Sequence, residues 1–393
     1  MFSDRIDRIK PSLTLEMTSK AAELRSKGKN VINMSVGEPD FNTPKNIREA
    51  GISAINNGKT RYTPGAGMLS LREAACVKMA RDNNLNYKPN EVIVSCGGKH
   101  SLYNACQVLF QHMDEVIIFT PYWVSFPDFV SVTGAKPVFV STNPDMQFEP
   151  NFKELKSVIN SKTKGIIINS PSNPTGGVWS DEAIIKTLKI AEDHNLWIFS
   201  DECYEQLTYD KSFQSIASYS NNNKILTFQS CSKTYAMTGW RIGYTAGNNK
   251  VINAMSKLQG QSTSCPNSIA QFAAIEALTG RQDAVKKMRE IFKDRRDLIL
   301  DKLNSITGVS CPKPGGAFYV FPDFSYFVGK SLFGNKIKSA TEIAMYLLEN
   351  EYVVSVPGNG FGSPNNIRFS YAASEQNILK AMNALKQTLN KIK

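Results

Sequence analysis

Short apolar runs alternate with amphipathic stretches through the middle of the chain. Glu91–Ser95 (E-V-I-V-S), Val116–Phe119, Pro137–Val140, Gly165–Asn169 (G-I-I-I-N), Trp197–Ser200, Ile225–Gln229 and Gly243–Gly247 each read as a strand. Unbroken apolar runs of this kind mark strands buried on both faces. Between them the apolar period lengthens to that of a helix. After Gly97–Gly98, the residues Leu102, Ala105, Cys106, Leu109 and Phe110 share one face, and Ser180 is placed to cap a helix from about Asp181. The expected class is α/β, with a mostly parallel seven-stranded sheet covered by helices and ligands beyond its C-terminal strand ends. Asp283 to Asn304 has the pattern of one long amphipathic helix. Short strands near Phe318–Phe321, Val353–Val356 and Ile367–Tyr371, with helices near Thr341–Asn350 and Ser374–Lys391, make a smaller α/β unit. The expected division is an N-terminal arm over 1–41 packing with the small domain, a large domain over 42–282 and a small domain over 283–393.

Composition narrows the function classes. With 393 residues, 41% of them hydrophobic and 21% charged, the chain has ample core for more than one domain. No apolar run approaches the roughly 18–20 residues needed to cross a bilayer. The opening M-F-S-D-R-I-D-R-I-K has no apolar segment, so no signal peptide is expected. Seven scattered cysteines without a C-x-x-C pair suit free thiols in a reducing compartment, the cytoplasm. The net charge of +11 is spread along the chain, and its densest clusters, Lys286–Lys287 and Arg295–Arg296, lie among acids. The expected reading is a solvated basic surface, with no nucleic-acid module and no membrane partner. The three histidines, His100, His112 and His194, have no zinc spacing, so no metal is expected. Gly58-Lys59-Thr60 lacks the upstream glycine of a P-loop, because position 53 is Ser53. Gly65-Ala66-Gly67 lacks the third glycine of a dinucleotide fingerprint, because position 70 is Ser70.

Chemistry concentrates at four strand ends. Ser230-Cys231-Ser232-Lys233 follows the Ile225–Gln229 strand, with Gly239-Trp240-Arg241 downstream. A lysine there suits Schiff-base chemistry provided that desolvation or a neighbouring cation lowers its pKa, its plain alternative being a surface loop; Arg241 with two serines suits a phosphate dianion. Asn169 to Gly177 (N-S-P-S-N-P-T-G-G) follows another strand; its plain alternative is turn chemistry. Asp201 follows a third, where its plain alternative is to cap a helix over Glu202–Gln206. A helical turn there would bring Tyr204 beside it. Gly97–Gly98 opens a helix whose free amides make an anion cradle. Together these features indicate one pocket.

The chain resembles the class I/II pyridoxal-phosphate-dependent aminotransferases of fold type I, most closely the bacterial aspartate branch that also acts on prephenate. The resemblance runs from Lys10-Pro11-Ser12 and Val36-Gly37-Glu38-Pro39-Asp40-Phe41 to Ile367-Arg368-Phe369-Ser370-Tyr371. Between lie Tyr62–Gly67, Pro121–Ser125, Ser170–Gly176, Ser200–Tyr204 and Ser230–Gly243. It implies that Lys233 holds pyridoxal phosphate as a Schiff base and then shuttles the α-proton. Asp201 pairs with the pyridine nitrogen, so that the ring can accept electrons. Tyr204 and Asn173 reach the phenolic oxygen, and Trp123 stacks on the ring. Gly98, the Lys99 amide, Ser230, Ser232 and Arg241 hold the phosphate. By the same resemblance, Tyr62 would reach it from a second subunit, which implies a homodimer with shared active sites. The resemblance also implies that Arg368, whose plain alternative is a surface arginine on a strand, takes the substrate α-carboxylate by its two-pronged fork, and that Gly37 closes over the substrate. Cys96 and Cys231 stand where small or hydroxyl residues are common, and His100 is unusual beside the cradle.

Lys99 bears on specificity. In the branch that the chain resembles, a lysine here meets the distal carboxylate of aspartate or glutamate, which implies that Lys99 selects dicarboxylic substrates; its plain alternative is an exposed helix-start lysine, and Ser12 and Thr14 match the branch's polar arm. The expected reaction is ping-pong transfer of the amino group of aspartate to 2-oxoglutarate, so the partners are small amino acids and 2-oxo acids. The alternatives are an aromatic or kynurenine aminotransferase or a carbon–sulfur lyase of the same fold, a cofactor-dependent nucleic-acid-binding regulator, and a non-catalytic homologue.

Overall fold

The computed structural model describes residues 2–9 and 13–393. Lys10, Pro11 and Ser12, and the side chain of Thr14, lie outside what is described. The large sheet contains β1 (Val92–Ser95), β2 (Glu115–Thr120), β3 (Lys136–Asn143), β4 (Glu149–Pro150), β5 (Thr163–Asn169), β6 (Trp197–Asp201), β7 (Ile225–Ser230) and β8 (Gly243–Ala246). Their order is β1-β8-β7-β6-β5-β2-β3-β4. The five central strands β7, β6, β5, β2 and β3 are parallel; β8 runs antiparallel to β7 and β1, and β4 antiparallel to β3. All seven expected strands are present. The eighth, Glu149–Pro150, corrects the expected count; two residues at an edge leave no apolar run. Its Glu149 is buried because the carboxylate accepts from Ser180 N at 2.9 Å.

The two-residue period of a strand sends neighbouring isoleucines to opposite cores. In β5, Ile166 and Ile168 pack with Ile184, Leu188 and Ala191 of the helix Asp181–Asp193. Ile167 packs on the other side with Leu102 and Ala105 of the helix Gly98–Leu109. Each such side chain contributes about 1.5–3 kcal/mol by burial. Ser180 caps the first helix by accepting from Ala183 N, as its sequence position suggested.

Beyond the sheet, the helix Asp283–Asn304 runs past two cores. Val285 and Met288 pack with the alanines of the helix Ser268–Thr279, whereas Phe292, Ile299 and Leu303 pack with Phe318, Ile343 and Phe369. The latter core is floored by an antiparallel sheet in which Ile367–Ser370 lies between Tyr319–Val320 and Val356–Pro357. From the N-terminal side, Ile32–Asn33 pairs in parallel with Val353–Val354, and Met17 and Ala21 pack on Leu348 and Val354.

Arg295 and Arg296 do not belong to a solvated basic face. Arg295 bonds Asp40 at 2.7 Å, and the fully buried Arg296 bonds Asp210 at 2.7 Å and Asp297 at 2.8 Å. Acids distant in sequence draw both guanidinium groups inward, and neutralised in this way they can be buried. Among the described residues, no helix is long and apolar enough to cross a membrane.

Candidate active site

The register of the parallel strands builds the site. Asn169 of β5 lies opposite Asp201 of β6, and Asp201 lies opposite Phe228 of β7. The chain after each strand therefore emerges at one edge of the sheet. A cavity of about 620 Å³ opens there. Gly37, Gly98, Lys99, Trp123, Asn173, Asp201, Tyr204, Ser230, Ser232, Lys233, Arg241 and Arg368 all line it. Tyr62 does not: its side chain is 89% exposed, away from the cavity of its own chain.

Lys233 sits in a single helical turn, Cys231–Thr234, directly after β7. Its amine donates to Gly37 O. Burial lowers its pKa from the ordinary value; Cys203 and Glu38 oppose this, while Arg241 and Arg368 add to it. Asp201 is 4% exposed, and burial pushes its carboxyl up to about 7, against the pull of the Cys203 N–H and of Lys233. It caps no helix: Glu202–Gln206 is a turn, and Asp201 Oδ1 accepts from Cys203 N at 3.3 Å. Tyr204 therefore reaches the cavity through this turn. Its hydroxyl shares a 2.9 Å hydrogen bond with that of Tyr319. Burial raises the Tyr204 phenol well above its ordinary value and Tyr319 to about 12, so both stay protonated.

The cradle forms where β8 meets the helix Gly98–Leu109. Gly97 has φ of +93°, and a Cβ on it would strike the Arg241 guanidinium. A Cβ on Gly243 would strike the Gly98 amide. Two missing side chains thus let guanidinium, helix amides and serines converge. Arg241 donates to Thr238 O at 2.7 Å and Cys96 O at 3.3 Å. Ser230 Oγ donates to Ser232 Oγ at 2.8 Å. His100 has a local role here: its Nδ1 accepts from Cys96 N at 3.3 Å.

The opposite wall is cationic. Arg368 is 2% exposed and donates to Asn173 Oδ1 at 2.8 Å and to Ser35 O at 2.7 Å, while its buried Nε has no partner among the described residues. Burial lowers its pKa from the ordinary value. Holding Asn173 by its oxygen leaves Nδ2 as that residue's donor. Lys99 Nζ lies 4.9 Å from the Trp123 ring centroid; burial, then Arg241, lowers its pKa.

The model of the family described as aminotransferase class I and II matches residues 29–385. The chain belongs to the class I and II aminotransferases. Proteins of this family are in general pyridoxal-phosphate-dependent. The chain is 45% identical over 385 residues to an aspartate aminotransferase of Bacillus sp. (strain YM-2), covering 97% of each. It is 44% identical to a probable aspartate/prephenate aminotransferase of Rhizobium leguminosarum bv. phaseoli, covering 96% of each. Among solved structures, an aspartate aminotransferase from Rhizobium meliloti superposes with a TM-score of 0.96 at 38% identity, covering all of both chains.

Several residues in or behind this aminotransferase's cavity escaped the sequence reading. Tyr319 lies 115 positions from Tyr204, and the Arg368 guanidinium sits 4.6 Å from its ring centroid. Nothing in G-A-F-Y-V separates that tyrosine from a core residue. Ser35 contributes only a carbonyl, which any residue could supply. Asn169 was detectable as an amide at a strand end before a proline loop. Its Oδ1 accepts from Asn173 N at 2.8 Å, and its Nδ2 donates to Asp201 O at 3.1 Å, tying two site residues together.

Proposed function

We propose that this aminotransferase uses pyridoxal phosphate to move the amino group of aspartate to 2-oxoglutarate, giving oxaloacetate and glutamate. One observation carries the reading: a desolvated lysine amine, a buried carboxylate and a buried guanidinium share a single cavity. The residues suit the cofactor's charges. Asp201, with a single backbone donor and a burial-raised pKa, gains most from a pyridinium cation. The amides at the Gly98 helix start, with Ser230, Ser232 and Arg241, suit a phosphate dianion. Tyr204 and the Asn173 amide suit the phenolic oxygen, and Trp123 suits the ring face.

When bound, pyridoxal phosphate supplies an electron sink for the carbanion left as the α-proton departs. Arg368 holds the α-carboxylate by its fork, and Lys99 meets the distal carboxylate. Lys233 Nζ, largely desolvated, carries a larger neutral fraction than a surface lysine and accepts the α-proton. The Gly37 segment covers the substrate and excludes water. One site serves amino donor and keto acceptor in turn, so the kinetics are ping-pong. The Rhizobium leguminosarum relative's name also supports prephenate as an acceptor. The division into an arm (1–41), a large domain (42–282) and a small domain (283–393) belongs to this reading, as do a cytoplasmic location and a homodimer. The exposure of Tyr62 supports its reaching the phosphate of a second subunit.

An absorbance spectrum of the purified protein, with and without aspartate, tests the proposal. Bleaching of a near-visible band by aspartate and recovery with 2-oxoglutarate is expected. Borohydride reduction and peptide mapping should label Lys233; an unlabelled Lys233 refutes it. Kinetics with aspartate, phenylalanine and cystathionine separate it from the aromatic and lyase alternatives.

A further inference from the structure

Behind Asp201 lies a buried polar cluster that takes no part in the chemistry above. Glu202 is fully buried. Its Oε1 accepts from Ser200 Oγ at 2.8 Å, Ser215 Oγ at 2.7 Å and Ile216 N at 3.2 Å. Its Oε2 accepts from Gln229 Nε2 at 3.2 Å. All four donors are neutral. The cluster's cation, Lys78, is reached through the far end of the same amide: Gln229 Oε1 accepts from Lys78 Nζ at 2.9 Å. Lys78 is itself paired with Glu205 at 2.5 Å and bonded to Asn83 at 2.9 Å. An amide with a cation at its oxygen and an anion at its nitrogen has one orientation.

A buried carboxylate held by neutral donors is expensive to retain. This one directly follows Asp201. Its backbone N–H donates to Phe228 O at 2.9 Å, and its side chain bolts the end of β6 to Gln229 of β7. On the other flank, Ser200 bonds the same carboxylate.

We propose that Glu202 is a positioning residue for Asp201: its contacts fix where the Asp201 carboxylate stands, and its charge deepens the negative potential presented to a pyridinium nitrogen. The inference rests on the cofactor reading above. The titratable groups that bear on Glu202 are Asp201, Glu205 and Tyr87, with Lys78 and Tyr244 through Gln229. Removing an anion destabilises a nearby cation. Loss of the Glu202 charge therefore weakens cofactor binding and lowers the pH at which bound cofactor loses a proton.

The test compares wild type with Glu202→Gln, each reconstituted with pyridoxal phosphate and without substrate. Cofactor affinity is measured at pH 8, and the pH midpoint of the bound cofactor's absorption band is recorded. The expected result is about tenfold weaker binding, in line with losses on removing groups that orient a binding ligand. The midpoint should fall by about half a pH unit or more. Unchanged affinity and midpoint in Glu202→Gln overturn the proposal. The exchange Glu202→Gln/Gln229→Glu restores one amide and one carboxylate but moves the charge onto Lys78. Thermal stability should recover while the midpoint stays low; a restored midpoint overturns the electrostatic role. If Glu202→Gln does not fold, Ser215→Ala removes one donor to the same carboxylate. A smaller shift in the same direction is then expected, and no shift overturns the proposal. Wild type that takes up no cofactor refutes the proposed function, and this inference with it, before any variant is compared.

Discussion

Replacing Arg368 by lysine keeps the charge and removes the fork. The guanidinium already spends one nitrogen on Asn173 Oδ1 at 2.8 Å and another on Ser35 O at 2.7 Å, from a site that is 2% exposed. An ammonium has three donors on one atom and cannot span both acceptors while meeting a carboxylate in plane. One charge-assisted hydrogen bond to the substrate is lost, about 1.5–3 kcal/mol, or roughly 10- to 100-fold in kcat/KM. The contact forms when substrate binds, so most of the loss should fall on KM. A buried acceptor, Asn173 Oδ1 or Ser35 O, is also left unpaired at a cost of about 1–3 kcal/mol in stability. The assay is steady-state transamination with aspartate and with phenylalanine, alongside thermal denaturation. Both substrates carry the α-carboxylate, so both should lose equally. Unchanged kcat/KM, or a loss confined to aspartate, would refute the assignment of Arg368 to the α-carboxylate.

Lys99→Ser should show the complementary pattern, losing roughly 10- to 100-fold with aspartate and little with phenylalanine; equal loss for both rejects the distal-carboxylate role. The cofactor-free protein should lose stability as pH rises. Asp201 titrates near 3.8 in the unfolded chain and at about 7 when folded. The folded state thus holds the proton more tightly, and the stability it contributes is present below about pH 4 and lost towards pH 7. Asp201→Asn should flatten that decline in thermal midpoint, and added pyridoxal phosphate should flatten it in wild type. Glu202, also raised to about 7, leaves a residual slope in the variant. Identical slopes in Asp201→Asn and wild type would contradict the raised carboxyl.

What the chain determined by itself was local. Apolar runs such as Gly165–Asn169 and the helical period after Gly98 identified strands and helices, because strand and helix periods are written in neighbouring residues. The lysine after β7, the carboxylate at the end of β6 and the glycine pair at the start of the helix Gly98–Leu109 were legible for the same reason. Only the tertiary structure decided the rest. Arg295 and Arg296 looked like solvated charge until Asp40 and Asp210 were brought beside them. Glu202 passed for a helix residue until Ser215 and Gln229 closed around it. Tyr319 and Ser35, at 115 and 333 positions from their partners, carry no local mark. Burial and pairing depend on which distant segments pack together, and burial shifts the proton affinities of Lys233 and Arg368 downward and that of Asp201 upward.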